Sequence, residues 1–396
     1  MTRRIGTVSR GLRGPIVKEG DDLRKIVVDT FMACLDGGDF EIGNKDVLAI
    51  TESILARAQK NYATTDQLAT DVRNKLGGET VGVVFPILSR NRFAICLRGI
   101  AKGCKKVVLM LSYPSDEVGN HILDLDLLDE KGIDPYKDVL TQAEFEGLFG
   151  KSRHAFTDVD YVNYYKGLIE EEGAEAEIIF ANNPRKIVDY ADSVICADIH
   201  TRARTKRLIK EAGAKTVLGL DDLLNAPVDG SGYNPDYGIL GSNKATEGTI
   251  KLFPINCKEF VEGIQSDIKE KTGKTIEVMV YGDGAFKDPV GKIWELADPV
   301  VSPGYTSGLI GQPNELKLKY LADNDFGDLR GNELKAAIEG AIKEKDANLV
   351  GQMATEGTTP RHLTDLLGSL CDLTSGSGDK GTPFIYIQGY FDNYTD

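Results

Sequence analysis

The sequence predicts an α/β protein whose N- and C-terminal segments form one mixed core around an inserted parallel βαβ module. Three observations predict this class. Short apolar strands and amphipathic helices alternate from the start of the chain, a strand–helix–strand–helix–strand series occupies the middle, and strand patterns return near the C-terminus. We therefore divide the chain into residues 1–125, 126–274 and 275–396, with the first and last forming the core.

Helix and strand signals are both clear in the first segment. Residues 46–51, DVLAIT, predict a short buried strand that runs directly into a helical segment. The continuous apolar runs at 80–88 and 105–114 predict further strands that are covered on both faces. Residues 21–35 predict a helix with five apolar side chains on one face: Leu23, Ile26, Val27, Phe31 and Cys34.

The central segment has a regular alternation of its own. Short apolar strands are expected at 176–182, 193–199 and 214–220, and helical patterns fill the two gaps between them. Short links between alternating strands and helices are typical of a doubly wound parallel sheet with right-handed crossovers. We therefore expect a separate, Rossmann-like module here.

The last segment returns to the core. A buried strand is expected at 275–283, a helix near 332–346 and a further strand close to the C-terminus. Thr359 followed by Pro360 predicts the start of another helix, because proline is favoured at the first helical position. That helix carries a stripe of leucines and ends at the Gly/Ser loop 375–381.

Composition excludes several classes of protein. The chain has 396 residues, of which 41% are hydrophobic and 27% charged, a profile typical of globular proteins. Its net charge of −14 disfavours broad binding to nucleic acid or to an anionic membrane, and no apolar run is long enough to span a bilayer. The six cysteines occur singly and without a CxxC motif, which fits buried thiols in a reducing compartment, so we expect a cytoplasmic protein.

One short glycine-rich stretch near the N-terminus is a candidate for binding a nucleotide. Gly11, Leu12, Arg13 and Gly14 predict a tight loop that could lie against a base or a ribose. An ordinary turn before a helix is the alternative.

The end of the second strand is a candidate phosphate site. Thr51, Glu52 and Ser53 end a strand and open a helix, where free N–H groups and the positive end of the helix dipole suit a phosphate. Arg57 lies one turn further along the same side. A plain helix cap is the alternative.

Oxygen-bearing side chains follow two of the predicted strands. Asp116 and Asn120 come after the strand at 105–114, and Asp283 ends a buried strand between two glycines. Oxygen ligands at strand ends suit a hard divalent cation such as Mg²⁺ or Mn²⁺. A polar turn is the alternative for Asp116, whereas for Asp283 we favour the metal role.

The Gly/Ser loop SGSGDKG near the C-terminus is the last candidate. Gly378 belongs to a run of backbone donors, and Lys380 adds a positive charge. A flexible surface loop is the alternative.

These pieces, in this order, resemble the coenzyme F420 γ-glutamyl ligase family. The resemblance covers residues 1–125 and 275–396. It implies a homodimeric cytoplasmic ligase that uses GTP (or ATP) and Mg²⁺ or Mn²⁺ to add L-glutamate to a small-molecule acceptor, a deazaflavin coenzyme precursor. The matching pieces are GLRGPIVKEGDDL, DVLAITESILARAQ, the strand leading to Asp116, VMVYGDGAFKDPVGKIWE, DFGDLRGNEL and GTPFIYIQG.

Carried over position by position, the resemblance assigns three kinds of site residue. Asp116 and Asp283 would hold the metal, and Arg57 and Asp283 would take part in the chemistry. The chain departs from the family pattern in three places. The family's Asp-x-Ser-Asn is one residue longer here, as DEVGN at residues 116–120. Gly284 stands where the family has a threonine, and Arg57 stands where it has a lysine. The nucleotide would be lined by Gly11, Leu12, Arg13, Gly14, Glu52, Ser53, Arg57, Asn120, Gly378 and Lys380.

The resemblance also implies a mechanism. Forming an amide from a carboxylate is uphill in water, so the carboxylate would first be phosphorylated and an amine would then displace the phosphate. Arg90, Arg92 or Arg98 could grip the carboxylates of the incoming glutamate, since arginine binds carboxylate bidentately. The central module would shape the choice of acceptor.

Two other functions remain as alternatives. One is an oxidoreductase that holds a dinucleotide in the central module, although no strand there is followed by a GxGxxG loop. The other is a regulatory protein that binds a nucleotide without turnover, which the replacement of threonine by Gly284 favours.

Overall fold

A computed structural model describes residues 4–154, 157–282, 285–287, 294–296, 302–355, 358, 361–375 and 379–395. Its strands are β1 Val8–Leu12, β2 Val47–Thr51, β3 Tyr62–Thr64, β4 Thr80–Val84, β5 Lys106–Leu111, β6 Leu140–Thr141, β7 Glu175–Phe180, β8 Ser193–Cys196, β9 Thr216–Gly219, β10 Asn243–Thr246, β11 Thr249–Lys251, β12 Glu277–Tyr281, β13 Ala285–Lys287, β14 Trp294–Leu296, β15 Gly304–Tyr305 and β16 Phe384–Gln388.

Helices occupy most of the segments between the strands. None of those in the described part of the chain combines the length and the apolar character that a membrane span requires. They are α1 Leu23–Asp36, α2 Glu52–Ala58, α3 Thr65–Leu76, α4 Phe93–Lys102, α5 Leu125–Lys131, α6 Gln142–Phe149, α7 Tyr161–Glu171, α8 Arg202–Glu211, α9 Cys257–Thr272, α10 Leu318–Tyr320, α11 Gly331–Glu344 and α12 Leu363–Thr374.

A five-stranded sheet joins the two ends of the chain. Its order is β1-β16-β2-β12-β15, so the first and last strands of the described chain pair with each other. Strands β2 and β12 are parallel, whereas β16 is antiparallel to both of its neighbours. Strands from near both ends of the chain thus share one sheet.

Both faces of the five-stranded sheet are covered, as the continuous apolar character of its strands requires. Alternate residues of β2 point to opposite faces, and Val47, Leu48, Ala49 and Ile50 are all fully buried. Helices α1 and α9 pack on one face and α12 on the other. The predicted face of α1 is confirmed: Leu23, Val27 and Phe31 are buried, and Ile26 and Cys34 are partly buried.

A six-stranded sheet, in the order β6-β7-β5-β4-β8-β9, forms the second layer. Five of its strands are parallel, and only the short edge strand β6 is antiparallel. The mixed α/β class is therefore confirmed. Of the two helical patterns expected between the central strands, one forms α8, and the other is a 3₁₀ turn at Pro184–Asp189.

The boundaries drawn from the sequence at residues 125 and 274 do not coincide with boundaries between the sheets. Strands β4 and β5 precede residue 125, yet they lie at the centre of the six-stranded sheet. Helix α9 precedes residue 274, yet it packs on the five-stranded sheet. A buried apolar strand or helix does not carry in its own sequence the identity of the layer it will join, so the local patterns could not place these elements.

A small third sheet connects the two larger layers. Strand β11 pairs with β3 and with β10, and β3 lies between α2 and α3 in the chain. The hairpin formed by β10 and β11 is therefore held next to the end of α2. This position brings a part of segment 126–274 close to the edge of the five-stranded sheet.

Candidate functional site

Four separate pieces of the sequence meet at one edge of the five-stranded sheet. Because β2 and β12 are parallel, their carboxyl ends lie side by side, with Thr51 opposite Tyr281. The antiparallel β16 begins at the same edge, where Phe384 lies opposite Ile50 on one side and Leu12 on the other. The ends of β1, β2 and β12 and the start of β16 therefore surround one place.

A cleft of about 520 Å³ lies at this edge. It combines backbone from the glycine-rich loop with polar and charged side chains from the start of α2 and from the β10–β11 hairpin. The described residues that line it include Gly14, Pro15, Thr51, Glu52, Ser53, Arg57, Asn243, Lys251, Tyr281, Gly282, Asp372, Gly381 and Thr382.

The loop after β1 packs tightly against the segment before β16. The amide of Gly14 donates a hydrogen bond to the carbonyl of Gly381, with 3.2 Å between N and O. A Cβ atom at Gly14 would lie 2.7 Å from the ring of Phe384, and one at Gly11 would lie 2.9 Å from Cβ of Thr382. Glycine is needed at these two positions because a larger residue would push the two segments apart.

The remaining residues predicted in these two segments have different surroundings. Leu12 is buried in the core, so its side chain is not available to a ligand. Arg13 and Lys380 are exposed. Gly378 lies outside the described residues, as does Asp283, the residue that follows Gly282 of the cleft.

A buried charged pair lies at the start of α2. Lys251, from β11, places Nζ 2.5 Å from Oγ of Ser53 and 3.5 Å from Oε1 of Glu52. The other carboxylate oxygen of Glu52, Oε2, is buried and has no hydrogen-bond partner among the described residues. Burial raises the pKa of Glu52, and the positive charges of Lys251 and Arg92 oppose this shift. Burial also lowers the pKa of Lys251, against the attraction of Glu52.

Arg57 completes the charged part of the cleft. It is exposed on the last turn of α2, and its guanidinium makes no hydrogen bond or ion pair with a residue that the structure describes. The helix itself is only seven residues long, and Thr51 makes no side-chain cap bond. The side chains of Arg57 and Lys251 therefore bring positive charge to the cleft next to the start of this helix.

Asp116 and Asn120 lie elsewhere, after β5 at the carboxyl edge of the six-stranded sheet, and neither lines the cleft. The Asp116 carboxylate is 6% exposed and accepts four hydrogen bonds, from the amides of Leu88, Val118 and Asn120 and from the side-chain amide of Asn120. Burial raises the pKa of Asp116, and these hydrogen bonds oppose the shift. The geometry is that of a carboxylate that organises a loop, with two N–H donors on each of its oxygens.

The three arginines proposed to grip glutamate differ in their availability. Arg98 forms ion pairs with Glu171, at 2.6 Å, and with Glu172. Arg92 is half-buried near the Glu52–Lys251 pair, on which its charge acts. Arg90 lines a separate cavity of about 330 Å³ beside α4 and α7. Within the described ranges, no group of three or more His, Cys, Asp or Glu side chains is arranged to hold a metal ion.

Comparison with known proteins bears on this cleft. The family model described as F420-0:gamma-glutamyl ligase matches residues 11–389. The chain belongs to this F420-0:gamma-glutamyl ligase family. Among curated proteins, the comparison finds no match. Membership indicates a ligase of coenzyme F420 biosynthesis whose substrates are small molecules such as glutamate, and the matched range includes every cleft residue named above.

Several cleft residues of this F420-0:gamma-glutamyl ligase family member were missed by the sequence analysis, Asn243 and Lys251 among them. Asn243 and Lys251 lie in segment 126–274, which was assigned to a separate module. One signal for Lys251 was present, because it is a single lysine inside the apolar run TIKLFPI. A charged residue in such a run is rarely buried unless it is paired or used.

Proposed function

We propose that this chain is a γ-glutamyl ligase that uses GTP (or ATP) and Mg²⁺ or Mn²⁺ to form an amide bond to L-glutamate through an acyl phosphate. One observation carries the proposal. Three pieces of sequence that resemble the nucleotide-binding parts of the family contribute Gly14, Glu52 with Ser53 and Arg57, and Gly381 to a single cleft of about 520 Å³. This volume is within the range that small-molecule sites occupy.

In this proposal the cleft holds the nucleotide. The backbone around Gly14 and Pro15, which lines the cleft, contacts the base or ribose. The hydroxyl of Ser53 and the guanidinium of Arg57 bind phosphate oxygens, and Arg57 offers two parallel N–H groups for this purpose. Lys380, which is exposed in the segment before β16, adds a second cation at the rim.

The reaction has two steps. A carboxylate oxygen of the acceptor attacks the γ-phosphorus, the bond to the bridging oxygen breaks, and an acyl phosphate and a nucleoside diphosphate form. The amine of glutamate, having lost a proton, then attacks the acyl carbon and phosphate leaves as the amide forms. Arg57 stabilises the charge that develops on the phosphoryl oxygens in both steps.

The described residues offer one feature that fits a divalent metal. The Oε2 atom of Glu52 is a buried carboxylate oxygen of the cleft without a hydrogen-bond partner among the described residues. We propose that Asp283, which follows Gly282 of the cleft, is the principal ligand. When bound, Mg²⁺ or Mn²⁺ would neutralise phosphate oxygens. Asp116 does not fit this role, because its lone pairs are occupied by four N–H donors, and no step is assigned to it.

Binding and turnover together test the proposal. Calorimetry should show binding of GTP or ATP in the presence of Mg²⁺ and much weaker binding in excess EDTA. Mass spectrometry should show an acceptor that gains one glutamate. Asp283→Asn should lower turnover by orders of magnitude with little change in melting temperature, because charge stabilisation is usually a leading catalytic contribution. Asp66→Asn, an exposed carboxylate on α3, is the matched control and should behave like the wild type.

Each outcome separates one function from another. Equal nucleotide affinity in excess EDTA would remove the metal from the proposal, and full activity of Asp283→Asn would remove that residue. Nucleotide binding without any glutamate transfer would favour the regulatory alternative.

The dinucleotide alternative has little support, since β4, a central strand of the six-stranded sheet, is followed by FPILS, which contains no glycine. The proposed homodimer predicts twice the chain mass in light scattering.

A further inference from the structure

Lys251 lies in the cleft because of a long-range strand pairing. It ends β11, which pairs with β3, and β3 follows the helix that begins at Glu52. The lysine is 8% exposed, and it is 199 residues away in sequence from the glutamate it faces. Burying an ammonium group costs several kcal/mol unless its hydrogen bonds are satisfied, so the partners of Lys251 are informative.

Those partners leave the pair incomplete. An ammonium has three donors, and Lys251 uses one on Ser53 at 2.5 Å and one on Glu52 at 3.5 Å, a distance well beyond a charge-assisted hydrogen bond. The third donor has no partner among the described residues. The Oε2 atom of Glu52 is likewise without a partner there. A donor and an acceptor that are both unsatisfied therefore lie side by side in the cleft.

The hydroxyl of Ser53 shows how this group would meet a ligand. An ammonium can only donate, so Oγ of Ser53 accepts from Lys251 and keeps its own O–H free to donate. Lys251, Ser53 and Arg57 thus present three kinds of donor to the same cleft. Such a set suits the several acceptor oxygens of a phosphate, and lysine binds phosphate as a compact point charge.

We propose that Lys251 is a phosphate-binding residue of this cleft, with Glu52 beside it as the carboxylate that orients its side chain. This inference rests on the proposed function, because it assumes that a nucleotide occupies the cleft. It makes the β10–β11 hairpin a part of the binding site. Lys251 binds a phosphate oxygen through its third N–H, and Ser53 donates to a neighbouring oxygen.

The test compares two lysines of the same hairpin. Lys251→Met removes the proposed phosphate ligand, whereas Lys244→Met removes a partly exposed lysine that pairs with Glu247. Calorimetry with Mg²⁺ measures the affinity of each variant for GTP, GDP and guanosine. Losing one charge-assisted hydrogen bond should weaken GTP binding by about ten- to a hundredfold in Lys251→Met and leave guanosine unchanged. Lys244→Met should bind all three as the wild type does.

The steady-state kinetics supply a readout that a structural role would not move. Lys251→Met should raise KM for the nucleotide and leave KM for glutamate unchanged. Lys251→Arg, which keeps the charge, should recover most of the lost nucleotide affinity. Wild-type affinity for GTP in a well-folded Lys251→Met variant would overturn the inference.

A measurement on the wild-type protein does not depend on whether the variants fold. The side-chain ammonium NMR signal of Lys251, assigned by its absence in Lys251→Arg, should shift when GTP and Mg²⁺ saturate the protein. An unchanged signal at saturation would overturn the role of Lys251 while leaving the proposed function intact. A wild-type protein that binds neither GTP nor ATP would overturn both.

Discussion

The Asp116 carboxylate offers the sharpest test of the structure against the family resemblance. The resemblance makes Asp116 a metal ligand, whereas the structure surrounds its carboxylate with N–H donors. Oδ1 accepts from the amides of Val118 and Asn120, at 3.1 and 2.9 Å. Oδ2 accepts from the amide of Leu88, at 2.8 Å, and from Nδ2 of Asn120, at 2.7 Å. Four donors on one carboxylate identify a residue that holds its loop together.

Asp116→Asn keeps the shape but turns one of the two oxygens into an NH₂ group. That group would face two donors, so two hydrogen bonds to a charged acceptor are lost, each worth about 1.5–3 kcal/mol. Burial raises the pKa of Asp116, which means that burying its negative charge costs free energy. The neutral asparagine avoids this cost, and this offsets part of the loss. We expect a net loss of roughly 2–4 kcal/mol in the free energy of unfolding. The melting temperature should fall by about 2–5 °C.

Thermal melting and nucleotide binding distinguish the two roles. A structural Asp116 predicts a lower melting temperature for Asp116→Asn at any Mg²⁺ concentration, with Mg²⁺-dependent GTP binding retained below that temperature. Asp126→Asn, an exposed carboxylate in the first turn of α5, is the control and should melt like the wild type. An unchanged melting temperature together with lost Mg²⁺-dependent binding would refute this reasoning and make Asp116 a metal ligand.

Two further predictions follow from the same geometry. The Nδ1 atom of His154 accepts a hydrogen bond from the amide of Thr157, and its Nε2 atom donates one to Oδ1 of Asn120. Burial lowers the pKa of His154 below 6.5. As the pH falls, the unfolded chain therefore binds a proton at this histidine before the folded protein does. Melting temperature should therefore drop below about pH 6.5, and His154→Gln should flatten this part of the pH profile; an identical profile in the variant would contradict the assignment. Gly14→Ala places a Cβ 2.7 Å from Phe384 and should cost about 1–3 kcal/mol and weaken nucleotide binding, whereas Gly6→Ala, whose Cβ meets nothing within 4 Å, should change neither. Wild-type affinity in Gly14→Ala would mean that the loop does not contact the nucleotide.

Local patterns in the sequence were sufficient to find most of the elements that form the cleft. The run DVLAIT predicts β2 because a strand buried on both faces needs apolar residues at every position, and residues 47–50 are indeed fully buried. The predicted helix at residues 21–35 corresponds to α1, Leu23–Asp36. The polar residues at the end of β2 were therefore expected at a strand end, whereas Gly11 and Leu12, expected in a tight loop, belong to β1.

Sheet membership was beyond the reach of these patterns. The strands β4 and β5 have the same apolar character as β2 and β12, yet the first two pair with each other and the last two with each other in different layers. Asp116 follows β5 and Thr51 ends β2, so the two ends belong to different sheets. The family resemblance, carried over position by position, is what grouped Asp116 with the residues of the cleft.

Lys251 illustrates the physical reason why part of the site could not be predicted. Its environment depends on the pairing of β11 with β3, which are separated by almost 190 residues and have no periodicity in common that would reveal their contact. What the sequence does contain is a conflict, since a lysine inside TIKLFPI places a charge where local pattern demands an apolar residue. Natural sequences tolerate such conflicts mainly at functional sites, where the stability lost in burying the charge is offset by binding. If Lys251 binds phosphate as proposed, the lysine that breaks the strand pattern is the position at which folding and ligand binding make opposite demands.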